Sequence, residues 1–156
     1  MPVMNQVFLG LGTNLGNLDS NLKSAINEIE KRVGKVISQS AFYKTAPWGF
    51  DSDNIFLNAV VCIETSLSAF EVLDATQEIE RDLGRTTKSN GGYSDRIIDI
   101  DILFFNQDII HTERLTVPHP LIDQRDFVLI PLKEIAPDLI HPVLLKPLID
   151  INISEH

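Results

Sequence analysis

Two carboxylates interrupt the most hydrophobic stretch of the chain. Residues 96–105 read RIIDIDILFF, in which Asp99 and Asp101 stand between isoleucines. In a β-strand alternate residues share a face, so these side chains would point the same way, with Cβ atoms about 7 Å apart. Two like charges at that separation repel each other, and a divalent cation removes the cost. Asp-X-Asp on a strand suits Mg²⁺, which takes one or two carboxylates together with substrate phosphates.

Basic residues come just before this aspartate pair. Arg96 adjoins the strand, and Arg85 and Lys88 lie in the polar segment RTTKSNGGYSD that precedes it. Phosphates bound to a metal need further cationic donors, and the planar fork of arginine matches phosphate oxygens well. Two metal ions about 3.5–4 Å apart would clamp a phosphoryl transfer. The alternative from pattern alone is a half-exposed strand whose acids are simply solvated.

Composition bounds the class of protein. The chain has 156 residues, 44% of them hydrophobic and 22% charged, which suits a single domain covering residues 1–156. The net charge of −9 argues against binding nucleic acid or an anionic membrane. There is no apolar run of about 20 residues and no basic, apolar leader, and the single Cys62 cannot form an internal disulfide. We therefore expect a cytoplasmic protein, acting as a monomer.

Hydrophobic periodicity predicts the element order β-α-β-β-α-β. Ser68 and Glu71 form a capping box at the start of the second helix, and Gly34 and Gly84 end the two helices. The segment DIIH is expected to pair with the fourth strand as a hairpin, and a short helix is expected near Arg125–Ile130. The predicted strands cover residues 7–12, 35–45, 56–65 and 97–105, and the hairpin segment covers residues 108–111.

This order predicts an α+β, ferredoxin-like fold: an antiparallel sheet with helices on one face and an added hairpin strand. The other face would then be free for a ligand. The aspartates would lie on that open face. The apolar residues that alternate with them would enter the core under the helices: Ile98, Ile100, Ile102 and Phe104.

The segment GLGTNLG, residues 10–16, raises a rival interpretation. Glycines between a strand and a helix also occur in dinucleotide-binding folds. That interpretation is not favoured, because no acidic residue closes the second strand and the later strands look antiparallel. A tight turn is the simpler use of these glycines.

Taken together, the motifs resemble those of the hydroxymethyldihydropterin pyrophosphokinase family over nearly the whole chain. The combination of R-X-X-D-X-D with the L-T-V-P-H-P run is the specific part. The matching segments are GLGTNLG (10–16), FYKTAPWG (42–49), FLNAVV (56–61), EIERDLGR (78–85), DRIIDIDILFF (95–105) and ERLTVPHPLIDQRDFVLIPLKEIAP (113–137).

The resemblance implies transfer of pyrophosphate from ATP to the hydroxymethyl group of 6-hydroxymethyl-7,8-dihydropterin, with release of AMP, in folate biosynthesis. It implies that Asp99 and Asp101 hold two Mg²⁺ ions, and that Arg85 and Arg96 act with them in catalysis. Asp99 is also a candidate to take the proton of the pterin hydroxyl. In-line attack needs positioning and charge neutralisation more than covalent help.

The resemblance also implies the nucleotide site. Where the family often has a second loop arginine, this chain has Thr87 followed by Lys88, and we expect Lys88 to substitute in part. Without the resemblance, His119 would be interpreted as a hydrogen-bonded loop histidine. The implied ATP-binding residues are Gln77, Glu80, Arg85, Lys88, Arg96, Ile102, Arg114, His119 and Arg125.

For the pterin, Asn58 supplies an amide that can both donate and accept, as a pterin edge requires. Phe56 and Phe127 match the two aromatics that would sandwich the ring, although spacing alone would make Phe127 a core residue. Tyr93 stands where the family has a tryptophan. The implied pterin-binding residues are Thr45, Pro47, Trp48, Phe56, Asn58, Tyr93, Asp99 and Phe127.

A second hypothesis is a non-catalytic ferredoxin-like module that binds a small ligand or a partner on its open sheet face. The missing loop arginine favours it. The intact aspartate pair counts against it, because a module that only binds would not need a metal site.

Overall fold

The structure is a computed structural model and describes residues 4–45, 55–84 and 97–153. Two short 3₁₀ helices, Ile122–Gln124 and Leu148–Asp150, accompany the main elements. Those elements are β1 Asn5–Thr13, α1 Leu18–Arg32, β2 Lys35–Gln39, β3 Tyr43–Thr45, β4 Phe56–Thr65, α2 Ala69–Gly84, β5 Asp99–Phe105, β6 Ile110–His111, β7 Thr116–Val117 and α3 Asp126–Ile135.

The main sheet is antiparallel, in the order β2-β4-β1-β5, with β3 also paired to β4. This is the strand order of a ferredoxin-like fold, so the predicted fold class is confirmed. The predicted second strand is divided into β2 and β3. At the division, the Ser40 amide donates to the Val60 carbonyl, and the Val60 amide donates to the Ser40 hydroxyl. The antiparallel pairing of β1 excludes the dinucleotide-binding interpretation, which requires parallel neighbours.

The first two helices begin and end where the sequence predicts. Asn17 caps α1 by accepting from the Ser20 amide at 3.1 Å. The capping box of α2 is confirmed, because the Ser68 amide donates to Glu71 Oε1 at 2.9 Å and the Glu71 amide donates to Ser68 Oγ at 3.2 Å. Neither these helices nor α3 is both long and apolar enough to cross a membrane, in the part of the chain that the structure describes.

Two hydrophobic cores lie on opposite faces of the sheet. The first packs α1 and α2 against alternate residues of the strands, among them Ile98, Ile100 and Ile102 as predicted. The second packs α3 and the C-terminal segment against the other face. The paired helices therefore occupy one face, as predicted, and α3 covers part of the face that was expected to be free. What stays open is the end of that face near the start of β5.

Phe104 lies in the second core, so the prediction that it points under the paired helices is wrong. The cause is a β-bulge. Phe8 pairs with Phe104 but Leu9 pairs with Ile102, which leaves Leu103 as an extra residue in β5. Leu103 and Phe104 therefore both face α3, where Phe104 contacts Phe8 edge-on at a centroid distance of 6.0 Å.

The predicted hairpin partner of the fourth strand is also a strand, but its pairing differs. Ile110–His111 pairs with Thr116–Val117 as a separate two-stranded sheet and not with β5. The segment that follows β7 contacts β5 through a backbone hydrogen bond, in which the His119 amide donates to the Leu103 carbonyl at 3.0 Å. This connection brings the V-P-H segment beside the aspartate strand.

Gly34 generates a stability prediction, because it lies directly against β4. A Cβ there would stand 2.3 Å from the Glu64 carbonyl oxygen, which belongs to backbone and cannot move aside cheaply. We expect Gly34→Ala to lower the free energy of unfolding by about 1–3 kcal/mol, measured from the urea midpoint.

Gly84→Ala is the matched control, since its Cβ would meet its nearest neighbour, Ile97, only at 3.7 Å. We expect that change to stay within about 1 kcal/mol of the parent protein. Equal urea midpoints for the two variants would contradict the close-approach argument.

Candidate active site

A row of residues crosses the open end of the sheet on a single face. In the strand register, Gly12 pairs with Asn58 of β4 on one side and with Asp99 of β5 on the other. Directly opposed residues in antiparallel strands share a face, so the Asn58 amide and the Asp99 carboxylate lie on the same side, two strands apart. At about 4.8 Å per strand, this separates their backbones by about 10 Å.

The glycines of β1 leave this face of the sheet without side chains between Asn58 and Asp99. A Cβ on Gly12 would stand 3.0 Å from Asn58 Oδ1, and one on Gly10, the partner of Asp101, would stand 3.4 Å from Leu103. Both glycines lie inside β1, so the expectation of a tight turn holds only for Gly16, which has φ of +77°. The glycine-rich segment thus leaves room in front of the aspartate pair.

A cavity of about 390 Å³ adjoins the two aspartates. Its walls come from α2, β5 and the segment that runs from the β6–β7 connection to residue 120. The residues with predicted roles that it brings together are Gln77, Glu80, Asp99, Asp101, Ile102, Arg114 and His119. Ile102 is only 4% exposed and belongs mainly to the first core, whereas Gln77 is exposed at the cavity wall.

Glu80 ties α2 to the aspartate strand. Its Oε2 accepts from the Ile100 amide at 2.8 Å, between the two aspartates. Desolvation raises the pKa of Glu80 to about 8; the bond from Ile100 opposes this, and the charges of Asp99 and Asp101 add to it. The Glu80 carboxyl is therefore harder to ionise than a free carboxyl, because it is buried beside two other acids.

The donor set at Asp99 and Asp101 fits a hard cation that completes its shell with other ligands. Among the described residues no group of three or more His, Cys, Asp or Glu side chains could enclose a metal ion by itself. Mg²⁺ does not need such a cage, because it keeps waters and takes phosphate oxygens alongside one or two carboxylates. The site therefore suits a cation that arrives with a phosphate substrate.

His119 is held as a neutral imidazole. Its Nδ1 accepts from the Leu121 amide at 3.2 Å, which leaves the proton on Nε2 in the neutral ring. Burial lowers the pKa of His119 to about 4, with a further contribution from the positive charge of Arg125. At neutral pH the ring can therefore donate one hydrogen bond from Nε2 without carrying a charge.

The two described arginines of the implied nucleotide site differ in their surroundings. Arg114 lines the cavity, pairs with Asp74 of α2 and lies 5.8 Å above the ring of Phe70. Arg125 is only 6% exposed, and its guanidinium lies 5.6 Å above the Phe127 ring. Arg125 is not among the residues that line the cavity.

Apart from Asp99, the described residues predicted to contact the pterin do not line the cavity but lie on β3, β4 and α3. Asn58 Nδ2 donates to Thr45 Oγ1 at 2.9 Å, and Phe56 is the cross-strand partner of Thr45. Phe127 lies in the first turn of α3 and packs against the second core. Because Val60 and Cys62 share the face of Asn58 and also belong to that core, α3 is stacked on the same side of the sheet as Asn58.

Six residues with predicted roles lie outside the described part of the chain. They are Pro47, Trp48, Arg85, Lys88, Tyr93 and Arg96.

The structure also adds residues to which the sequence gave no role. Glu113 and Thr116 line the cavity, and both belong to the recognised ERLTVPHP segment, so the motif could have pointed to them. Tyr43 is the cross-strand partner of Asn58 and belongs to the recognised FYKTAPWG segment.

Comparison with known proteins gives a consistent result. The family model described as 7,8-dihydro-6-hydroxymethylpterin-pyrophosphokinase (HPPK) matches residues 8–137. A Porphyromonas gingivalis protein named 2-amino-4-hydroxy-6-hydroxymethyldihydropteridine pyrophosphokinase is 50% identical over 138 residues, covering 87% of this chain and 93% of the relative. An Aquifex aeolicus protein of the same name is 40% identical over 145 residues, covering 93% and 89%.

Solved structures agree on the fold. A Plasmodium falciparum HPPK-DHPS variant crystallised with pteroate superimposes with a TM-score of 0.79 at 20% identity. The match covers 96% of this chain and 40% of that one, so the chain spans well under half of the larger protein. With 50% identity to a named relative and a family match over most of its length, the chain belongs to the 7,8-dihydro-6-hydroxymethylpterin-pyrophosphokinase family and is a pyrophosphokinase of folate biosynthesis, with ATP and a pterin as its substrates.

Proposed function

We propose that Asp99 and Asp101 are the residues at which this pyrophosphokinase does its chemistry, holding two Mg²⁺ ions together with the phosphates of ATP. The observation that carries this proposal is the position of the pair on one wall of a 390 Å³ cavity, with Asp99 in the same sheet row as Asn58. When bound, the ions would neutralise phosphate charge and polarise the transferred group.

The reaction forms one bond and breaks another. The oxygen of the pterin hydroxymethyl group bonds to the β-phosphorus of ATP, and the bond from that phosphorus to the oxygen bridging to the α-phosphorus breaks. AMP leaves with the electron pair, and the β- and γ-phosphoryl groups stay on the pterin. The hydroxyl proton needs an acceptor, and Asp99 is the candidate because it shares the row with the proposed pterin site.

The phosphate chain would lie along the cavity. His119 would donate from Nε2 to a phosphate oxygen as a neutral group, and Arg114 would supply positive charge from the β6–β7 connection. Gln77 and Glu80 would contact the nucleotide from α2. Arg125 would add charge beside His119, and Arg85, Lys88 and Arg96 would complete the cationic set.

The pterin would lie between Phe56 and Phe127, with its polar edge on Asn58. The Asn58 amide, already held by Thr45, can offer both a donor and an acceptor to the ring. Pro47, Trp48 and Tyr93 would complete this site. We further propose that residues 1–156 act as a single domain and a monomer in the cytoplasm, without binding nucleic acid or membrane, in keeping with the net charge of −9.

The first prediction concerns the aspartate pair. The wild-type protein, incubated with ATP, Mg²⁺ and hydroxymethyldihydropterin, should release AMP only when the pterin is present. Asp99→Asn and Asp101→Asn keep the side-chain shape but remove the charge, so each should lower the rate by at least about 10²–10³-fold. The nucleotide released is identified by chromatography.

Asp108→Asn is the matched control, because Asp108 is an exposed acid just beyond β5 and outside the cavity. It should keep the wild-type rate. Full activity in the two strand variants would rule out the proposed site. Release of ADP would mean that a single phosphoryl group is transferred and that the assigned geometry is incorrect.

The second prediction concerns the neutral state of His119. Its pKa of about 4 in the fold lies below the ordinary value of 6.5, so its contribution to stability is complete above pH 6.5 and is lost as pH falls through 4. His119→Asn retains an acceptor for the Leu121 amide but cannot titrate. The free energy of unfolding should therefore fall less between pH 7 and pH 4 in His119→Asn than in the wild type, by about 2 kcal/mol. It is measured by urea unfolding at each pH.

The same substitution at the exposed His111, which does not line the cavity, serves as the control and should leave the rate of AMP release at pH 7 unchanged. Parallel pH profiles for wild type and His119→Asn would show that this ring is not kept neutral by the fold. His119→Asn should also slow AMP release at pH 7, since the Nε2 donor is absent.

A further inference from the structure

A carboxylate on α3 holds the start of β3. Both oxygens of Glu134 accept from the Ala41 amide at 3.1 Å, and the Tyr43 hydroxyl donates to the same carboxylate. The bond to Glu134 is the main cause, with burial second, of a raised pKa for the Tyr43 hydroxyl. Tyr43 therefore stays a donor at neutral pH, and the contact joins residues that lie 91 positions apart in the chain.

Tyr43 belongs to the same sheet row as the proposed substrate site. It pairs directly with Asn58, so the row runs Tyr43–Asn58–Gly12–Asp99 across four strands. Two residues after Tyr43, Thr45 accepts from the Asn58 amide at 2.9 Å. The position of β3 thus sets the position of the hydroxyl that orients Asn58.

The other end of the contact leads to Phe127. Glu134 and Phe127 are seven residues apart on α3, which is about two turns, so they lie on the same side of the helix. Val128, Leu129 and Leu132 fix the helix on the second core. A helix of ten residues moves as a unit, so holding its last turn against β3 also sets where its first turn places Phe127.

We propose that Tyr43 and Glu134 are a positioning pair that fixes the distance between β3 and α3, and with it the width of the slot between Phe56 and Phe127. The pair acts on the pterin through Asn58 and Phe127 and need not contact the pterin itself. The inference rests on the pterin site proposed above.

Binding of ATP should not depend on the Tyr43–Glu134 contact. The cavity that would hold ATP is lined by α2, β5 and residues 113–120, and neither Tyr43 nor Glu134 lines it. Loss of the Tyr43–Glu134 contact should therefore weaken binding of the pterin and not binding of ATP. A general destabilisation of the fold would weaken binding of both substrates.

The test compares Tyr43→Phe and Glu134→Ala with the wild type. Each should raise the KM for hydroxymethyldihydropterin by about 5- to 10-fold and leave the KM for ATP within about twofold. Glu134→Gln keeps an acceptor oxygen and should restore most of the affinity. The double variant Tyr43→Phe with Glu134→Ala should have a pterin KM no higher than that of the more impaired single variant, because each substitution removes the same contact.

Glu30→Ala is the matched control. Glu30 Oε2 accepts from the Val36 amide, so it also ties a helix to an edge strand, but at the opposite end of β2 from the slot. It should leave the KM for the pterin unchanged. Urea midpoints of all variants establish that they are folded when assayed.

Two results would overturn the inference: an unchanged pterin KM in Tyr43→Phe and Glu134→Ala, or equal increases in the KM of both substrates. A wild type that releases no AMP would instead contradict the proposed function. In that case the pterin's own fluorescence, titrated with each variant in the presence of a non-hydrolysable ATP analogue, still tests the pair. Equal pterin affinity in wild type and variants would count against it.

Discussion

The pairing of β1 with strands on both of its sides holds the site together. β4 brings Asn58 and β5 brings Asp99 to the same strand, and each is aligned on Gly12. The register of an antiparallel pair is fixed by the burial of alternate residues, since a slip of one residue would turn every apolar side chain to the wrong face. The hydrophobic core that fixes this register therefore also fixes the separation between the Asn58 amide and the Asp99 carboxylate.

Because β5 is an edge strand, its outer backbone groups need partners from outside the sheet. Glu80 supplies one of them by accepting from Ile100, and the His119 amide meets the Leu103 carbonyl further along. Both partners are also residues of the cavity wall. The bonds that complete the edge of the sheet therefore also place Glu80 and His119, two residues of the proposed nucleotide site, beside the aspartates.

The sequence predicted the elements well because each one buries a regular pattern. The alternation of Ile98, Ile100 and Ile102 predicted their common face, and the Ser68 capping box predicted the start of α2. Phe104 was misplaced because a bulge adds a residue without any change in the apolar pattern of the strand. The seven cavity residues came mainly from the family resemblance, since spacing alone could not bring α2 and His119 together. No local sequence pattern predicts the Tyr43–Glu134 contact, because the two residues are distant in the chain and meet only through the packing of α3 on the sheet.

The second core has a consequence for how this enzyme can vary during evolution. α3 closes that core with Leu129 and Leu132, and the C-terminal Leu148 and Ile151 lie in the same cluster. None of these residues is in the proposed substrate site, but all of them pack in the core that supports α3, the helix that carries Phe127. If Phe127 contacts the substrate as proposed, substitutions in the C-terminal segment could alter substrate affinity through this core without touching the substrate.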